Sequence, residues 1–88
     1  MERDSDQIEV NVLFFSVIKE ALERSTMKVS LGRGSNAGAL LDQLANDHAI
    51  IRDHRAVIRL AVNTSYAKES VALNDGDEVA LITPVSGG

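Results

Sequence analysis

The chain has 88 residues, 44% of them apolar and 25% charged, with a net charge of −4 and a pI near 5.0. That suffices for one domain and is too little for two. The acidic balance argues against a nucleic-acid surface and suits a basic protein partner better. Cysteine is absent, which excludes disulfides, thiolate zinc sites and cysteine nucleophiles.

In chain order, MERDSDQ is polar and lacks the apolar core of a secretory signal, so residues 1–7 are expected to be a disordered tail. IEVNVLFF follows, with Ile8, Val10, Val12 and Phe14 alternating with Glu9 and Asn11, the period of a strand with one buried face. Phe15 breaks that pattern by being apolar on the outer parity. SVIKEALERS places Val17, Ile18, Ala21 and Leu22 at helical spacing, with Ser16 as the expected N-cap of a short helix. TMKVSL alternates again and reads as a second strand.

GRGSN is a loop in which Ser35 or Asn36 can cap AGALLDQLANDH, whose Ala37, Leu40, Leu41, Leu44 and Ala45 make the strongest amphipathic stripe in the protein. Gly38 weakens that helix by about 1 kcal/mol relative to alanine. AIIRDHRAV reads as a connection that buries Ile50 or Ile51. IRLAVN is a third strand, TSYA a turn, KESVAL ambiguous, and NDGD a strong turn signal. EVALITPV is the last strand, with Val79 and Leu81 on one face and Ala80 and Ile82 on the other. No apolar stretch reaches the roughly 18 residues of a membrane span, so a cytoplasmic protein is expected.

The order of elements predicts an α+β fold: a mixed sheet with one main helix across it and a short helix after the first strand. The first and last strands, the most apolar, are the expected central neighbours. This is the layout of a β-grasp, or ubiquitin-like, domain spanning residues 8–82, followed by a flexible tail over residues 83–88.

Four motifs invite a chemical reading and receive a plainer one. GRGSNAG has glycines at the wrong spacing for a dinucleotide loop and lacks the lysine-serine pair of a phosphate loop, so it reads as a loop before a capped helix. His48 and His54 are six apart, outside the spacing that sets two ligands on one helix face, and read as solvated or capping residues; no metal site is expected. Arg52, Arg55 and Arg59 could meet a phosphate but read as a solvated face. Asp75 to Glu78, DGDE, read as a turn entering a strand rather than a cation site.

The tail carries the functional signal. Glycine makes up about 7% of residues in proteins, so two at the end arise by chance on the order of 0.5% of the time. Pro84 lacks an N–H and stiffens the exit from the sheet. Thr83, Pro84, Val85, Ser86, Gly87 and Gly88 together reach about 20 Å when extended. Without Cβ atoms, Gly87 and Gly88 can enter a channel too narrow for other residues. The group at the tip is the α-carboxylate of Gly88, with a usual pKa of about 3.3–3.7, so it is an anion and a poor electrophile near neutral pH. An acyl-adenylate made from ATP is the economical activation, after which sulfur or an amine can attack. Without cysteine, any sulfur the protein carries would sit on that carbonyl.

VLFFSVIKEAL, LAVNTSY and LNDGDEVALITPVSGG closely resemble the small, sulfur-carrier subunits of molybdopterin synthase, and the likeness runs from about Ile8 to Gly88. Thr83 stands where that family commonly has the first of two prolines. The resemblance implies that an E1-like adenylating enzyme with a sulfurtransferase activity converts Gly88 to a glycyl-adenylate and then to a thiocarboxylate. The carrier would bind no cofactor stably, holding AMP only as a transient adduct. It would insert its tail into the large synthase subunit, within a heterotetramer, and give sulfur to cyclic pyranopterin monophosphate. The family's partner-facing positions map onto Phe15, Tyr66 and Ile82. Other readings remain open: a thiamine-pathway sulfur carrier, against which the helix SVIKEALERS argues, a ubiquitin-like modifier joined to lysines through Gly88, and a plain interaction module.

Overall fold

The structure is a computed structural model that describes residues 6–84. Val85, Ser86, Gly87 and Gly88 lie outside the described residues, as does most of the expected N-terminal tail. Five strands form one mixed sheet: β1 (Gln7–Phe14), β2 (Thr26–Gly32), β3 (Arg59–Val62), β4 (Ser65–Ala67) and β5 (Glu78–Ile82), in the order β2-β1-β5-β3-β4. β1 and β5 run parallel at the centre, and the other neighbours are antiparallel. The expected pairing of first and last strands is therefore present. β1 takes in Gln7, one residue before the expected start.

Alternation sets the two faces. Ile8, Val10, Val12 and Phe14 on β1 and Val79 and Leu81 on β5 are all buried, and they meet Leu40, Leu41 and Leu44 of α2 (Ala37–Asp47) in one core. Full burial of each such side chain stabilises the fold by roughly 1.5–3 kcal/mol. Ile18 of α1 (Ser16–Leu22) and Ile51 of α3 (Ala49–His54) close the ends of the same core. The opposite face of the sheet carries none of these helix residues.

Three local expectations are corrected. Ser16 is not the N-cap of α1. Phe15 holds that position in extended conformation with no side-chain cap bond, and Ser16 has φ +54° because the chain turns into the helix directly from β1. AIIRDHRAV is not merely a connection, since it forms α3 and a 3-10 turn (Arg55–Val57), with Ile51 fully buried and Ile50 half-buried. TSYA is not a turn either. Asn63 and Thr64, at φ 50° and 73°, make a two-residue hairpin turn, and Ser65–Ala67 is an edge strand.

The start of α2 explains the glycine within it. Asn36 is the cap, accepting from the Ala39 N–H at 2.9 Å. The next two donors are satisfied from outside the helix: Ala37 N–H donates to the Val71 carbonyl at 2.9 Å and Gly38 N–H to Glu69 at 2.8 Å. A Cβ on Gly38 would lie 3.3 Å from the Cβ of Glu69, so glycine lets the Lys68–Ala72 loop close on the helix end. That loop is the segment the sequence left ambiguous.

Candidate functional site

β5 is flanked on both sides, so the chain leaves the fold from the middle of the sheet. Its pairing ends where Leu81 sits opposite Phe14 and Ile82 opposite Arg59. Thr83 then continues the inward alternation of Val79 and Leu81 and is only 6% exposed. Pro84 is the first exposed residue. The body therefore keeps hold of the chain through Thr83, one residue further than the expected tail boundary, and five residues remain from Pro84 onward, with a reach of about 17 Å. The alternation V-A-L-I-T could have revealed this anchor in the sequence.

The turn before β5 fixes where that strand begins. Asp75 Oδ1 accepts from the Glu9 N–H at 2.8 Å, and Asp77 accepts from the Asn74 N–H at 2.8 Å and from Asn63 Nδ2 at 3.0 Å. Asn63 Oδ1 in turn accepts from the Glu78 N–H at 3.0 Å. The Asp75 and Asp77 carboxylates are thus spent on backbone and side-chain donors of a turn, and Glu78 joins it through its backbone N–H. No group of potential metal ligands occurs among the described residues.

On the helix-free face, Leu13, Ala80, Ala61 and Tyr66 are cross-strand neighbours in one row, and Ile82 stands beside it opposite Arg59. Alternation from Leu13 through Phe14 carries Phe15 to the same face. Phe15 is 44% exposed and Tyr66 76% exposed, while Ile82 is half-buried. The three residues expected to face a partner are brought to one side of the sheet, at the end where the tail departs. Ala80, expected on this face beside Ile82, makes the floor between them together with Leu13 and Ala61, which the sequence did not mark.

The arginines do not form one group. Arg55 bridges α2 and the Lys68–Ala72 loop, donating to Asp42 and to Glu69 at 3.0 Å, and these hydrogen bonds raise its pKa, the one to Asp42 most. Arg52 reaches the Ala45 carbonyl at 3.4 Å, and Arg59 opens β3. His48 ends α2 and begins α3 through its backbone, and His54 Nδ1 lies 2.9 Å from the Ile50 carbonyl. GRGSNAG is a loop leading into a capped helix, with Gly34 at φ 93°.

A ubiquitin-like β-grasp body, with an apolar sheet face beside a chain exit at the centre of the sheet, defines the class. Within it the chain belongs to the ThiS family, whose profile matches residues 12–88. It is 42% identical over 82 residues to the molybdopterin synthase sulfur carrier subunit of Mycobacterium tuberculosis, covering 92% of this chain and 99% of that one. Among solved structures, SAMP1, a small archaeal modifier protein of Haloferax volcanii, superposes with a TM-score of 0.78 at 27% identity, covering 91% of this chain and 99% of that one. The complex of subunits 1 and 2 of the molybdopterin-converting factor from Helicobacter pylori contains the same fold, with a TM-score of 0.67 at 24% identity over 92% of this chain and 100% of that one.

Proposed function

We propose that this chain is the sulfur carrier subunit of a molybdopterin synthase, with the carbonyl of Gly88 as the carrier atom. The observation that bears most weight is the arrangement of β5. A strand locked between two neighbours and anchored through Thr83 brings an exposed Pro84 out on the side that presents Phe15, Tyr66 and Ile82. The family match, which extends through residue 88, and the synthase named for the Mycobacterium tuberculosis relative support the same reading.

In this reading the chemistry is supplied by partners. A carboxylate oxygen of Gly88 attacks the α-phosphate of ATP in an E1-like enzyme, and pyrophosphate leaves. Sulfur delivered at the sulfide level then attacks the acyl carbon, and AMP departs with the bonding electron pair, leaving a thiocarboxylate. The charged carrier docks on the large synthase subunit through the helix-free face and passes sulfur to cyclic pyranopterin monophosphate. Two sulfurs per pterin call for two carriers, hence a heterotetramer around a large-subunit dimer. No helix among the described residues is long and apolar enough to cross a membrane.

Incubation with the cognate adenylating enzyme, ATP and a sulfur source should raise the intact mass by the exchange of one oxygen for sulfur. Removing Gly88, or adding one residue after it, should abolish the gain. The likeness to SAMP1 keeps conjugation to lysines as a second reading. Covalent adducts on other proteins, formed in place of the thiocarboxylate, would establish it. An unchanged mass with full pterin sulfuration by an extended tail would refute the carrier reading.

A further inference from the structure

Beside the chain exit an open groove of about 540 Å³ runs between the 3-10 turn leading into β3 and the strand β4, and Pro84 forms part of its wall. Its apolar lining includes Val57, Ile58 and Tyr66. Its charged lining is Arg59, Lys68 and Glu69, and Glu69 is already engaged by Arg55. Among the described residues the side chains of Arg59 and Lys68 have no hydrogen-bond or ion-pair partner, and both residues are exposed. Along the sheet, Glu78 begins β5 in a row with Asn11 and Lys28, whereas Arg59 pairs with Ile82 at the end of β5, where the chain departs.

We propose that this groove receives a carboxylate-bearing segment of the large synthase subunit, so that Arg59 and Lys68 are specificity residues that orient the carrier as its tail enters. The proposal rests on the carrier reading and names a contact within it. Charge complementarity argues for an acidic occupant. Continuity with Pro84 on one side and Tyr66 on the other places that occupant where the tail-accepting partner must already be. The apolar row supplies contact area without direction, and two cations at one end supply the direction.

Binding of the full chain to its cognate large subunit, measured calorimetrically at about 0.05 M and 0.5 M salt, tests this. Arg59→Glu with Lys68→Glu should weaken binding about tenfold or more at low salt, with the gap narrowing at high salt. Lys28→Glu, on the far edge strand β2, should change it by less than about twofold. Carbodiimide coupling of the wild-type complex should join Lys68 to an aspartate or glutamate of the large subunit. Unchanged or tighter binding by the double variant, an equal loss from Lys28→Glu, or a cross-link from Lys68 to Gly88 of its own chain would overturn the proposal. Wild-type protein that carries sulfur yet ignores the large subunit would remove this contact while leaving the carrier chemistry standing. A chain that never acquires sulfur but shows the charge-dependent binding would do the reverse.

Discussion

Phe14 and Phe15 are adjacent and chemically identical, and the pleat of β1 sends them to opposite fates. Phe14 is 1% exposed in the core and Phe15 44% exposed on the helix-free face. Phe14→Ala should therefore cost about 3–5 kcal/mol in urea unfolding, whereas Phe15→Ala should cost well under half as much and weaken binding to the large subunit. A backbone effect at Thr64 is separable from both. A β-branched residue at φ 73° in a two-residue hairpin turn is strained, and glycine is not. Thr64→Gly should stabilise the protein by about 1 kcal/mol and raise its Tm by roughly 4–8 °C. The neighbouring Asn63 should tolerate no such change, because its side chain ties Asp77 to the Glu78 N–H.

At the level of elements, α2 and β5 each depend on a contact from outside themselves. Helix propensity alone predicts that Gly38→Ala stabilises α2 by about 1 kcal/mol. The Lys68–Ala72 loop occupies the space a methyl group needs, with Glu69 atoms 3.2–3.3 Å from the added Cβ. The expected outcome is no gain, or a loss, in thermal melting, with partial recovery when Glu69 is shortened to serine. β5 depends on Thr83 in a different way. Thr83→Val keeps the shape and burial and should preserve both stability and sulfur delivery. Thr83→Asp places an unpartnered charge at a buried position and should release the strand end, lowering single-turnover sulfur transfer more than adenylation. Adenylation falling as far as transfer would show that Thr83 supports only the fold.

Over the whole molecule, the face proposed to dock is separate from the core that makes the body stable. The core lies between the sheet and the helices, while Tyr66, at 76% exposure, stands on the other face. Tyr66→Asp should shift unfolding by less than about 0.5 kcal/mol and weaken the complex with the large subunit by about tenfold. The Arg55 bridge belongs to this scale too, because it joins α2 to the loop that walls the tail-side groove. Both of its ion pairs lie at the surface, with exposed carboxylates and a half-buried Arg55, so Arg55→Met should cost about 1 kcal/mol or less, and the cost should shrink in high salt.

Much was already legible along the chain. The period of two in IEVNVLFF and EVALI, the helical stripe from Ala37 to Ala45, and the NDGD turn are each local consequences of where apolar and turn residues fall. They are enough to assign the core face of β1, β5 and α2 and to set Phe15 and Ile82 on the opposite parity. The edge strand β4 was hidden because three residues carry too little pattern to be told from a turn. α3 was hidden because its helical run of six residues is shorter than two turns. What only the tertiary structure decided is which distant residues meet: Glu69 with Gly38 and Arg55, Asn63 with Asp77, and Arg59 with Ile82 and Lys68 around the groove. Local pattern follows from the repeat of the backbone, which any stretch of sequence displays by itself. The juxtaposition of remote side chains depends on strand order and register, which emerge only when the whole core closes at once.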